Sequence, residues 1–285
     1  MSQRSAILLV NPSRSEAVSA AIELSAILIK EGFNLFTSSD VEIEGVVNTS
    51  LENLPDIEIA IILGGDGTIL RGAEATLLRD IPLLGVNLGK VGFLAEVSKP
   101  SVAEIAESVI KKSYVYETRM VLGYSIDRDG KEISQGWALN EITVERSSTT
   151  MVELFVEIDK RPLSHWGCDG LICSTPTGST AYAFSAGGPV LWPEIDALVL
   201  LPISAHALFS RPMVVSTKSE IVVTVESSTA LLSADALRKL PLVAGDRVII
   251  TRNPHTIKLA HINPTLFTDR LVAKFKLPVE GWRGE

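Results

Sequence analysis

Ile59-Ala60-Ile61-Ile62-Leu63 runs directly into Gly64-Gly65-Asp66-Gly67-Thr68, and from Ile69 onward apolar residues return at helical spacing. This pattern predicts a strand, a glycine turn and a helix N-terminus. Three glycines within residues 64–67 allow the backbone positive φ and a close approach to a ligand, while the orphan N–H groups of the helix start point at it. Such a turn binds phosphate. Asp66 is the odd member, since a carboxylate beside a polyphosphate repels it unless a divalent cation bridges the two or the aspartate accepts a proton. A carboxylate inside an anion cradle points to phosphoryl transfer. The plainer alternative is a tight strand-to-helix connection with Asp66 as N-cap, which accounts for the aspartate but not for the glycines around it.

Outward from this turn, residues 1–117 alternate strand and helix. Ala6 to Val10 reads as a strand, and a helix follows with Ala17, Ala20, Ala21, Leu24, Ile27 and Leu28 on one face and a stop at Gly32. Phe33 to Thr37 and Ile81 to Val86 are further strands. Ile59–Leu63 and Ile81–Val86 are apolar on both faces, as a parallel sheet covered by helices requires. Pro100 and the Ser101/Glu104 capping pair open a helix carrying Val102, Ile105, Ala106 and Val109. The expectation is a Rossmann-like α/β domain.

After Tyr116 the apolar period becomes two. Val152, Leu154, Val156 and Ile158 alternate with Glu153, Glu157 and Asp159, Asp129-Gly130 reads as a hairpin turn after Val121–Ile126, and Ile221–Val225, Arg247–Thr251 and Thr256–Ala260 read as short strands. Residues 118–265 are therefore expected to form a β-rich, sandwich-like domain. The segment Phe267–Leu277 returns to helical spacing, so the tail 266–285 is expected to join the first domain.

With 285 residues, nearly half of them hydrophobic, the chain can bury two cores. A formal net charge of −8 speaks against a nucleic-acid partner. The best membrane candidate, Ala197–Ile203, is short and contains Pro202, and the N-terminal stretch lacks the long apolar core of a signal peptide, so a cytoplasmic protein is expected. Cys168 and Cys173 have no histidine at metal-ligand spacing and read as reduced core residues. His165 and His206 show no carboxylate or nucleophile at a recognisable spacing and read as surface or satisfied loop histidines.

The glycine turn is neither a Walker loop, since Gly89-Lys90 is followed by Val91, nor a dinucleotide fingerprint. Phosphate binding would then rest on backbone N–H groups and a metal ion, with Arg71 the nearest cation. A second cluster, Asp169 through Tyr182, crosses from a strand into hydroxyls and small residues, Thr175-Pro176-Thr177-Gly178-Ser179-Thr180-Ala181-Tyr182. It forms either a polar pocket for a nucleoside or a Ser/Thr-rich turn with Tyr182 in the core.

Together, Gly64–Thr68, Asn140-Glu141 and Thr175–Tyr182, in this order, resemble the NAD kinase family. The resemblance extends to Gly85-Val86-Asn87-Leu88-Gly89, Gly92-Phe93-Leu94, Ser185-Ala186-Gly187-Gly188-Pro189 and Arg211-Pro212. The first motif is shared with lipid and phosphofructokinase-like kinases, whereas the second singles out NAD kinases.

The resemblance implies transfer of the terminal phosphate of ATP, or of inorganic polyphosphate, to the 2′-hydroxyl of the adenosine ribose of NAD, giving NADP. Asp66 would be the general base, the holder of Mg²⁺, or both, and Gly64, Gly65, Gly67 and Thr68 would line the donor phosphates. NAD would be contacted by Asp66, Gly67, Arg71, Asn140, Glu141, Asp169, Thr177, Thr180, Ala181, Tyr182 and Ser185, with Phe93 near the adenine. Read without the resemblance, Asn140-Glu141 is an exposed strand end and Phe93 a core phenylalanine. The resemblance further implies an active site in the cleft between the domains, and a homodimer or homotetramer whose neighbouring subunit completes the NAD pocket. The chain departs from the family at Ser233-Ala234-Asp235-Ala236, where Asp-Gly is usual, and Ala236 resists the positive φ such a turn needs. Two other readings compete, a diacylglycerol-type lipid kinase and a non-catalytic NAD(P)-binding regulator.

Overall fold

A computed structural model describes residues 4–86, 92–95 and 100–279. Asn87–Val91, part of the stretch that carries the family resemblance, and the last residues of the tail lie outside the described residues. The chain divides into two units, Met1–Thr118 with Ile257–Glu285, and Arg119–Thr256.

The first unit begins with β1 (Ser5–Val10), α1 (Ser15–Lys30), β2 (Asn34–Thr37), β3 (Val46–Asn48), β4 (Ile59–Leu63), α2 (Asp66–Thr76), β5 (Pro82–Val86) and α3 (Val102–Lys111). Its strands pair in parallel in the order β3-β2-β1-β4-β5, which continues into the end of a strand returning from the second unit. Every residue of β4 is buried because helices cover both faces of the sheet. On one face Ala6, Leu8, Ile59 and Ile61 meet Ala17, Leu24 and Leu28 of α1 and Ile105 and Val109 of α3. The expected capping box of α3 is formed by Ser101 and Glu104.

The order of strands reverses between β1 and β4, with Val10 level with Leu63 and Leu63 level with Val86. Crossovers on opposite sides of a doubly wound sheet leave a crevice beyond the carboxyl ends of the strands at such a switch point. The glycine turn sits there.

The second unit is built from β6 (Val115–Arg128), whose first residues lie in the first unit, then β7 (Lys131–Ala138), β8 (Glu141–Arg146), β9 (Val152–Ile158), β10 (Arg161–Cys168) and β11 (Gly170–Ser174). These are followed by α4 (Tyr182–Ser185), β12 (Ala197–Ile203), β13 (Met213–Ser216), β14 (Ile221–Val225), β15 (Thr229–Ala234), β16 (Arg238–Val243) and β17 (Arg247–His261). One antiparallel sheet runs β13-β12-β11-β8-β15-β16, and another contains β10-β9-β14-β17. Their inward residues, among them Val144, Cys173 and Leu232 from the first and Leu154, Val223 and Ile250 from the second, form one core, as in a β-sandwich. The outer face of β11 and β12 is covered by Ala183 and Leu191, which explains why β11 is buried throughout.

One expectation about the strands needs correction. Arg247–Thr251 and Thr256–Ala260 are not separate strands but one, β17, whose polar middle around Pro254 hid its continuity. Its far end leaves the second unit at Ile257 and pairs with β5, Lys258 against Pro82 and Ala260 against Leu84. The final helix α5 (Phe267–Phe275) belongs to the first unit.

Candidate active site

The glycine turn follows β4 without a break, and α2 begins at Asp66 itself, with Gly65 as its N-cap. Asp66 is therefore not the cap, and its carboxylate is free to reach elsewhere. It accepts the backbone N–H of Phe93 at 3.2 Å and of Leu94 at 3.4 Å. Gly92 packs against it so closely that a Cβ there would lie 2.1 Å from Oδ1.

The glycines work differently from expectation. None of Gly64, Gly65 and Gly67 takes positive φ. Gly64 lacks a side chain because a Cβ would collide with Thr68 Oγ1 at 2.4 Å. The N–H groups of Asp66 and Gly67 find no acceptor among the described residues, while those of Thr68 and Ile69 bond to Gly65 O. Two donors and the positive end of the helix dipole therefore face the crevice. A Cβ on Gly65 would stand 3.5 Å from Arg14 Nη2, so the loop after β1 brings a cation that the sequence reading missed. Thr68 and Arg71 share a cavity of about 280 Å³ with Asn11, Ser38, Ser39 and Asp40, from the carboxyl ends of β1 and β2.

Phe93 is only 7% exposed. Its ring packs between Phe267 and Phe275 of α5, at centroid distances of 6.0 and 5.6 Å, an ordinary core placement.

In the second unit Asn140 and Glu141 form the corner between β7 and β8. They are 8% and 6% exposed, so this is not an exposed strand end. The corner is held from below by Asp235, a residue sequence reasoning did not place in the site. Its carboxylate accepts N–H groups from Leu139 at 2.8 Å, Asn140 at 2.7 Å and Glu141 at 3.4 Å, and pairs with Arg238 at 3.0 Å. Arg238 in turn lies over the ring of Trp137 at 4.2 Å. Asp235 and Ala236 take φ of +54° and +56° in the turn between β15 and β16, the left-handed region that alanine resists.

Burial pushes the Glu141 carboxyl up to about 8, with the Asp235 and Glu145 charges adding to it and the Tyr182 N–H opposing it. Burial thus favours the protonated form of Glu141, and its Oε2 has no partner among the described residues. A buried carboxyl oxygen without a partner suits a ligand hydroxyl. Burial likewise drives Asp235 upward, against its backbone donors and Arg238.

Several side chains of the Thr175–Tyr182 run bond to backbone groups. Thr175 Oγ1 donates to Leu139 O at 2.6 Å and accepts Gly178 N–H, and Thr175 N–H donates to Asn140 O at 2.9 Å. Ser174 and Ser179 are also spent on backbone groups. Gly178 approaches so closely that a Cβ would lie 2.1 Å from Asn140 O. Thr177 is buried, with its Oγ1 3.4 Å from Arg119 Nη1, and the Thr180 hydroxyl donates to Thr177 O. Ala181 is half-buried, whereas Tyr182 and Ser185 are exposed.

Tyr182 and Asp169 line one cavity of about 460 Å³ with Glu145, Arg146 and Ile203, and Asp169 is paired there with Arg146 at 2.9 Å. Cys168 and Cys173 are free and buried, and burial drives both thiols up to about 12. His165 does have carboxylate neighbours, Glu226 at 2.6 Å and Glu153 at 3.6 Å, brought by strand pairing rather than by sequence spacing.

Residues 6–114 match the ATP-NAD kinase N-terminal domain, and residues 139–262 the ATP-NAD kinase C-terminal domain. The chain belongs to the ATP-NAD kinase family. NAD kinase 2 of Streptomyces avermitilis is 43% identical over 292 residues, covering 99% of this chain and 97% of that protein. The NAD kinase of Mycobacterium tuberculosis is 41% identical over 306 residues, covering 99% of each. A crystal structure of an Archaeoglobus fulgidus NAD kinase in complex with ATP superposes with a TM-score of 0.66 at 26% identity, covering 90% of this chain and 92% of that one. Yeast NADH kinase complexed with NADH shares the fold, with a TM-score of 0.87 at 23% identity, covering 99% of this chain and 90% of that one. The chain is therefore a kinase, and its reaction is the phosphorylation of NAD. No helix among the described residues is long and apolar enough to cross a membrane.

Proposed function

We propose that the terminal phosphoryl group of ATP passes to the 2′-hydroxyl of the adenosine ribose of NAD with Asp66 as general base. The hydroxyl oxygen forms the new P–O bond, the bond to the leaving ADP breaks, the proton goes to the Asp66 carboxylate, and NADP is the product. The observation that carries this reading is the Asp66 carboxylate at the first position of α2, held by two backbone amides at the N-terminus of that helix. Loose phosphoryl-transfer chemistry needs in-line placement and charge stabilisation more than covalent help.

Gly64, Gly65, Gly67 and Thr68 line the donor phosphates, with Arg14 near Gly65 and Arg71 in the adjoining cavity as cations. Inorganic polyphosphate presents the same terminal anhydride, so the backbone cradle suits it as well. Asn140 and Glu141 hold the adenosine, the latter through its unpartnered Oε2. Thr177, Thr180, Ala181 and Ser185 shape that side of the pocket, and Tyr182 and Asp169 hold the nicotinamide ribose.

Among the described residues no cluster of three or more His, Cys, Asp or Glu side chains forms a metal cage. Mg²⁺ is commonly bound by one or two carboxylates together with substrate phosphates and water, so the lone Asp66 beside a phosphate loop fits it. Bound there, Mg²⁺ would neutralise charge on the donor phosphates.

The exposed side chains of Phe184, Trp192, Leu208 and Phe209 offer apolar surface for the homodimer or homotetramer of a cytoplasmic enzyme. Formation of NADP from NAD and ATP in the presence of Mg²⁺, compared between the native chain and Asp66→Asn, tests the assignment. The variant should lose a factor of roughly 10²–10⁴ in turnover while still binding NAD; undiminished turnover removes Asp66 from the base role.

A further inference from the structure

The carbonyl and amide sides of one short peptide segment are bonded to two charged side chains far apart in sequence. Phe93 N–H and Leu94 N–H donate to the Asp66 carboxylate, and Phe93 O accepts from Arg270 Nη1 of α5 at 3.0 Å. Arg270 is 3% exposed. Its guanidinium is held by Glu117 Oε1 at 3.4 Å from Nη1, its Nη2 lies 3.4 and 3.2 Å from Nδ1 and Nε2 of the His261 ring, and His261 Nε2 is 2.9 Å from Glu117 Oε1. Glu117 stands near the start of β6 and His261 ends β17, so three separated segments of the first unit converge on one guanidinium.

We propose that Arg270 is a positioning residue for Asp66, acting through the backbone of Phe93 and Leu94. This rests on the reading of Asp66 as the base.

The physical case has three parts. First, a guanidinium taken out of water carries a large desolvation cost unless well paired, and an apolar side chain would pack α5 more cheaply, so packing alone does not call for an arginine. Second, a hydrogen bond to Phe93 O polarises the following peptide and strengthens the Leu94 N–H as a donor to Asp66. Third, Phe267 and Phe275 flank the Phe93 ring from the same helix, so α5 fixes both the side chain and the carbonyl of that residue. The Asp66 carboxylate thereby keeps one orientation toward the crevice. A shift of about 1 Å at a reacting group costs on the order of a hundredfold in rate.

The test uses the full chain carrying Arg270→Lys, which keeps the charge but loses the planar fork, and Arg270→Met, which removes both. With NAD, ATP and Mg²⁺, kcat is expected to fall roughly tenfold to hundredfold while KM for both substrates stays within about threefold of native. In an Asp66→Asn background the same substitutions should change the residual rate by less than about twofold, because a residue acting only through Asp66 has nothing left to position. If Arg270→Met does not fold, Arg270→Lys carries the comparison alone. Native kcat in the Arg270 variants, or an equal loss in both backgrounds, overturns the positioning role and leaves Asp66 as base. Turnover retained by Asp66→Asn overturns both.

Discussion

The Asp235 carboxylate accepts the backbone N–H of Asn140 at 2.7 Å, a contact that joins the turn between β15 and β16 to the corner between β7 and β8. Leu139 and Glu141 donate to the same carboxylate, and Asp235 N–H donates to Glu141 O at 3.0 Å. The turn that departs from the family's Asp-Gly is therefore the support of the Asn140-Glu141 corner, and it keeps the aspartate while replacing the glycine.

Ala236 occupies that turn at φ +56°, where an L side chain costs about 1 kcal/mol. Ala236→Gly should relieve this strain, and for a chain of this size Tm should rise by about 2–4 °C. Thermal unfolding followed by circular dichroism checks it, and an unchanged or lower Tm would show that the local backbone carries no strain.

Gly92 has no room for a side chain because of Asp66. In Gly92→Ala the carboxylate has to move, so turnover should drop on the order of a hundredfold with the overall melting curve preserved. Steady-state NADP formation, read beside the melt, decides between a displaced carboxylate and a general loss of fold.

Glu141 links stability to pH. Its folded-state value of about 8 lies above its ordinary 4.5, so the folded chain holds a proton that the unfolded chain releases between these values. The stability contributed by the neutral carboxyl is complete below pH 4.5 and is lost as pH rises through 8. Glu141→Gln, a permanent stand-in for the neutral form, should match the native chain near pH 4.5 and exceed it by several degrees in Tm at pH 8.5. A constant Tm difference across that range would mean that Glu141 does not titrate in this way.

The α/β unit was legible because its signals are local. The Ile59–Leu63 run, the glycines and the Ser101/Glu104 pair each specify their own few residues. The turn and helix start around Asp66 were legible for the same reason, but the anchoring of its carboxylate was not. The amides that hold it are 27 and 28 residues away, and Arg270 lies 177 residues from Phe93, in a helix whose spacing says nothing of its partner.

The Thr175–Tyr182 run was open in the sequence between a polar pocket and a Ser/Thr-rich turn, and Ser174, Thr175 and Ser179 spend their hydroxyls on backbone groups. A small buried hydroxyl satisfies backbone groups at a corner as readily as it lines a pocket. Asp235 looked like a turn residue and is one, but its second task depends on the pairing of β15 with β8, which no short window of sequence displays. Arg14 escaped notice because it belongs to the loop after β1 and meets Gly65 only through sheet order.

Because the strand ending at His261 and the helix ending at Phe275 complete the unit that begins the chain, that unit cannot close while the ribosome is still making the middle of the protein. The half carrying the glycine turn is begun before the second unit is translated and finished after it. A prematurely terminated chain would then present β5 with an unpaired edge and Phe93 without its ring partners, a species that quality-control proteases should clear sooner than the full-length product.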